Sequence, residues 1–250
     1  MTMQHGTGVR ASGLDPGAAQ ITKLRRLIAS KNEALLSHRY FRMCRGNELG
    51  REHLIEIVKQ LYCFSVFFER LLTRRISDYS SGRDQRILQI ARDHLRDEIG
   101  HADLFYQCLT RNGVSHDEVM ALSPKMFTKA MFGYLTATVQ HENEYVSNVA
   151  IIQVMESIGY HFFSETLRVM RTHKMAADAL VKHTEDDEDH PELGMELVAQ
   201  FDAPTMASCT RIVHDIYRLM GFVLDEWLGL EPGSPSLGRR RRTSRPPKAN

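Results

Sequence analysis

Two acid-x-x-His units, Glu98-x-x-His101 and Asp187-x-x-His190, stand 89 residues apart in this chain. Each has a further histidine one turn upstream: His94 before Glu98, and His183 before Asp187. Positions i, i+4 and i+7 share one face of an α-helix. A chain carrying two such faces has few ways to satisfy both. When the faces meet inside a helical bundle, they are the usual means of holding a pair of metal ions in its core.

Two isolated acids extend the pattern. Glu69 precedes Glu98 by 29 residues, and Glu156 precedes Asp187 by 31. A gap of that length allows one helix out and one back, which can set the first acid opposite the second. Glu69 falls among Leu61, Tyr62, Ser65, Val66 and Leu72; Glu156 falls among Val149, Ile152, Gly159, Tyr160 and Phe163. A lone carboxylate in an apolar stripe costs several kcal/mol unless it is paired, protonated or metal-bound. A buried arginine or tyrosine partner is the alternative. The expected metal ligands are therefore Glu69, Glu98, His101, Glu156, His183, Asp187 and His190, with His94 ranked below His183. Taken singly, Glu98 and His101 could be an exposed ion pair, and the run from His183 to His190 a charged helix end. Hard carboxylate oxygens with imidazoles suit iron, and tolerate manganese.

The scaffold reads as all-α. From Arg51 the run REHLIEIVKQLYCFSVFFERLLTRRI keeps helical spacing of apolar residues for about seven turns, as does the stretch from 142 to 171. One helix is expected over 83–111, carrying His94, Glu98 and His101 and ending at Asn112-Gly113. Another follows Pro124, one from about Ala176 carries His183, and a last one, broken near Pro204, runs to Leu230. Pro191 should end or kink the helix at His190. No stretch reads as a strand.

The domain reading is a disordered N-terminus over 1–16, a helical domain over 17–230, and a basic disordered tail over 231–250. The tail holds Arg239 to Arg242, Arg245 and Lys248 without interleaved aromatics, so nucleic acid is not expected as a partner. A net charge of +1 gives no push toward nucleic acid or membrane, and no apolar run is long enough to span one. The four cysteines, Cys44, Cys63, Cys108 and Cys209, are scattered and expected to be reduced; a cytoplasmic location is the default. With a single tryptophan, Trp227, nothing suggests a tryptophan-based binding platform.

The run SHRYFRMCRGNELGREHLIEIVKQLYCFSVFFERLL, the triplet His183, Asp187, His190, the acid at Glu156 and the Glu98-x-x-His101 unit together resemble the haem-oxygenase-like di-iron oxidases and oxygenases. These share their fold with TenA thiaminases and PqqC-type proteins. The resemblance covers roughly residues 25 to 228. It implies a seven-helix bundle with a di-metal site in its core. Two Fe(II)/Fe(III) ions would serve as cofactors and O2 as co-substrate, with no catalytic residue beyond the metal ligands and no organic cofactor. The reaction would be N-oxygenation of an amine or amino acid, or oxidative C–C cleavage of an amino or fatty acid, in specialised metabolism. The implied partners are a small-molecule substrate and an external electron donor, and a homodimer is allowed. Tyr62, Tyr106, Tyr160 and Phe163 are the candidate pocket walls. The competing readings are a metal-free TenA/PqqC-like enzyme, haem oxygenase proper with His38 as axial ligand, and a ferritin-like iron-binding protein without substrate turnover.

Overall fold

The computed structural model describes residues 16–79, 84–186 and 192–231. Every regular element among them is helical. Among the described residues, no helix is long and apolar enough to cross a membrane. The termini beyond those bounds, with the basic tail, lie outside the described residues, as do Asp187, His190 and Pro191.

The longest helix sets the frame. It is α3, Arg51–Tyr79, preceded by α1, Pro16–Leu36, and α2, Arg39–Arg45. Leu54, Ile57, Val58, Leu61, Phe68 and Leu72 recur at three- and four-residue steps along α3 and are buried. On α3 pack α4, Gln85–Glu98, α5, His101–Arg111, and, beyond the short α6, His116–Met120, helix α7, Met126–His141. The opposite wall is α8, Glu144–Asn148, running on into α9, Ser157–Thr172. It is completed by α10, Asp178–Asp186, and α11, Ala203–Trp227. Asp202 caps α11 by accepting from the Thr205 N–H at 2.8 Å, and Pro204 sits in its first turn, where a missing N–H costs nothing.

Three departures from the sequence reading matter for the site. First, the seven-helix count is not recovered as such, because expected single helices are broken. Second, the helix expected over 83–111 is two. Ile99 is extended (ψ 126°) and Gly100 left-handed (φ 94°), a conformation glycine takes without the steric penalty of a side chain. Ile99 is turned out to 64% exposure by the break. Third, the helix expected over 142–171 begins at Glu144 and is not α-helical throughout. Val149–Glu156 form a π-helix joining α8 to α9, with all eight residues buried. Such segments are rare and concentrate at functional sites.

The π segment carries its own polar support. Asn148 Nδ2 donates to Gln153 Oε1 (3.4 Å), and Gln153 Nε2 donates to the Leu193 carbonyl (2.5 Å). The fully buried Arg75 of α3 donates to Asn148 Oδ1 (2.7 Å). This chain ties α3, the π segment and the residues that follow α10 together.

Candidate metal centre

Five buried side chains converge between α4, α5, the π segment and α10. On α4, His94 and Glu98 lie one turn apart and face inward. His94 is fully buried, with Nε2 2.9 Å from Glu156 Oε1. Glu156 is the last residue of the π segment, so the wider winding there sets which way its carboxylate faces. Across the α4–α5 break, Glu98 Oε2 meets His101 Nδ1 at 3.1 Å. His183 of α10 closes the group: its ring lies 4.4 Å from that of His101, centroid to centroid. Phe163 stacks on one side of it at 4.2 Å and Phe105 lies at 5.5 Å, which holds the imidazole plane.

Ligand atoms within 4.8 Å of one another form two groups among the described residues: Glu98, His101, His183, and His94, Glu98, Glu156. Glu98 belongs to both. Its Oε1 and the Nε2 of His101 are buried and have no hydrogen-bond partner among the described residues. Each such atom costs about 1–3 kcal/mol unless something takes it up. An acceptor oxygen and an imidazole nitrogen on two residues of one ligand group are what a cation would satisfy, and the oxygen–nitrogen donor set suits iron or manganese. The residues present therefore fit a metal pair.

Of the sequence-predicted ligands, the structure brings together Glu98, His101, Glu156 and His183. Asp187 and His190 fall outside the described residues. Glu69 is not brought into either group. Its Oε1 accepts from the backbone N–H of Gly100 (3.1 Å) and of Ala102 (3.2 Å), the orphan donors at the start of α5. It is half-buried rather than sealed in the core. The spacing from Glu98 marks Glu69 as a ligand in the sequence; the helix break between Glu98 and His101 supplies a use for its carboxylate in the structure. His94, ranked low from sequence, sits at the centre of one group. The signal that could have promoted it was already present, since it repeats the i, i+4, i+7 pattern of the second unit.

The centre borders a cavity of about 80 Å³ whose lining includes Glu98, Glu156 and His183. The remaining wall is apolar apart from Ser65. Phe163 lines it as expected. Tyr62, Tyr106 and Tyr160 do not; Tyr106 is instead bound to His116 Nδ1 at 3.0 Å near the surface. Trp227, passed over in the sequence, lines the cavity, held by Nε1 donating to Thr128 Oγ1 at 2.9 Å.

His38 is committed elsewhere. Its Nδ1 accepts from the Tyr40 N–H at 3.2 Å, capping α2, and its Nε2 faces Asp225 Oδ1 at 2.9 Å. Burial lowers its pKa, against the raising effect of Asp225. With both ring nitrogens engaged, the axial-ligand reading for haem has no support.

The sequence matches no protein-family model and no curated protein. Solved structures share its fold. A domain of unknown function with a haem oxygenase-like fold from Shewanella denitrificans is 14% identical; the match covers 84% of this chain and 92% of that one, with a TM-score of 0.71. A TenA homolog from Pseudomonas syringae pv. tomato is 14% identical over 92% of this chain and 99% of its own, with a TM-score of 0.70. A TenA homologue from P. horikoshii is 14% identical over 84% and 96%, with a TM-score of 0.62. The chain thus has the all-α, TenA-like, haem-oxygenase-like fold.

Proposed function

We propose that this chain is a non-haem di-iron oxidase or oxygenase that activates O2 against a small substrate. One observation carries the reading: Glu98, which lines an apolar cavity, belongs to both buried ligand groups, and its Oε1 and His101 Nε2 have no hydrogen-bond partner among the described residues. A metal-free site would leave both atoms buried at that cost.

The protein's own residues have distinct tasks. Glu98 offers one carboxylate to both groups, with His101 and His183 on one side and His94 and Glu156 on the other. Asp187 and His190 complete the proposed set from the segment after α10. Bound there, a pair of iron ions would supply the oxygen activation and Lewis acidity that side chains lack. Phe105 and Phe163 keep the His183 ring from turning away. Glu69 positions rather than binds: it anchors the start of α5, and so the break that lets Glu98 and His101 converge. The apolar walls exclude bulk water from the reacting face. Electrons beyond those of the ferrous state would come from an external donor.

Anaerobic ferrous loading, metal quantification and then mixing with oxygen test the reading. Two irons retained per chain, with oxygen uptake hastened by a substrate, are expected. Failure to retain iron refutes it. Iron retained without oxygen uptake refutes the enzyme and leaves a metal store.

A further inference from the structure

The cavity beside the centre carries information on what it can admit. Its charged lining residues among the described residues are Glu98, Glu156 and His183, all members of the ligand groups; no lysine or arginine among the described residues faces it. Its body is built from side chains such as Leu61, Phe68, Ile158, Phe162, Met220 and Trp227. In the metal-free protein a carboxylate placed among them would lie unpaired in apolar surroundings, or against Glu98 and Glu156. Either arrangement costs several kcal/mol. A volume of about 80 Å³, against the roughly 10–15 Å³ that holds one water, admits a group of several heavy atoms.

We propose that the group bound in this cavity is short, apolar and uncharged, an alkyl or aryl fragment, and that free α-amino acids are excluded from it. What becomes of the bound group rests on the metal-centred reading above. Its admission rests on the cavity walls alone, and can be measured without metal.

Trp227 makes that measurement direct, since it is the only tryptophan of the chain and stands in the cavity wall. The full-length, metal-free protein is titrated with 4-methyl-1-pentanol and with L-leucine while tryptophan emission is followed. The two probes have the same carbon skeleton and differ in the head group. The alcohol should shift the emission saturably, and leucine should bind about a hundredfold more weakly or worse, the penalty of one unpaired charge. Ser65→Leu, which fills the cavity, should abolish the alcohol response with the thermal melt retained. Should that variant not fold, Gly159→Val serves the same purpose. Leucine binding as tightly as the alcohol, no saturable response to the alcohol, or a response surviving the filling variant would each overturn the proposal. Iron bound by a protein that prefers leucine would sink this inference and spare the metal-centred reading. Alcohol bound by a protein that never takes up iron would do the reverse.

Discussion

Asn148 and Gln153 touch, Nδ2 to Oε1 at 3.4 Å, although five residues separate them. On an α-helix, residues five apart point about 140° from one another; the wider winding of a π-helix, bonded i→i+5, brings them much nearer to one face. The pair therefore acts as a lock on the π segment, and Glu156 is the residue that the lock orients. Gln153→Leu should let the segment relax toward α-helical register and turn Glu156 away from His94. The expected result is a ferrous affinity about 10–100-fold weaker, with a stability loss of about 1–3 kcal/mol from the orphaned Leu193 carbonyl and Asn148 amide. A destabilised variant with undiminished metal affinity would disconnect the lock from the site.

Glu69 distinguishes two uses of one carboxylate. As a cap on α5 it should be replaceable by glutamine, whose amide oxygen can still accept from the Gly100 and Ala102 N–H groups. Glu69→Gln is expected to keep the full metal content, and Glu69→Ala to lose about 1 kcal/mol of stability. Metal analysis beside a denaturant melt checks both. Loss of metal in Glu69→Gln with stability intact would restore Glu69 to the ligand set.

His94→Ala should lower the bound metal by about half or more, because it removes the imidazole of one group and its hydrogen bond to Glu156. His116→Ala, near the surface beside Tyr106, is the matched control and should change nothing. Equal metal content in the two variants would remove His94 from the centre.

Metal should stabilise the fold. With manganese(II), which avoids oxygen chemistry, a concentration about a hundredfold above Kd should add about 2.7 kcal/mol for a single site. Glu98→Ala should erase that gain entirely, since both groups lose a member. A melting temperature that rises equally in Glu98→Ala would place the metal elsewhere.

Alkaline pH should destabilise the protein through its buried thiols. Burial pushes Cys44 and Cys108 up to about 11 and Cys209 up to about 12, from an ordinary 9.0. These folded-state values lie above those of the unfolded chain. The unfolded thiols therefore release protons first, and stability falls with rising pH from about 9 until the folded values are passed. Thermal melts from pH 8 to 11 should show a steady decline above 9. Thiol reagents at pH 8 should leave these three cysteines unmodified until the chain unfolds. A melting temperature flat across that range would refute the assignment.

The helical class and the candidate ligands that share a helix face were legible because they depend on local spacing. Apolar residues at three- and four-residue steps dictate α3 and α11 whatever they pack against. His94 and Glu98 share a face by the geometry of one turn. Glu156 stood out because a carboxylate in an apolar run demands a partner. The choice among neighbours of similar promise was decided elsewhere. Glu69 and Glu156 look alike in sequence, yet one caps α5 and the other meets His94. The difference lies in which backbone donors and side chains the packed helices bring within reach. The break at Ile99 and Gly100 needs Glu69 from a separate helix to hold it. The π turn needs Arg75, Gln153 and the Leu193 carbonyl, drawn from three parts of the chain. Periodicity records which residues one helix can present together; only packing determines which of them meet a partner, and so which polar atoms stay buried and unsatisfied until a ligand arrives.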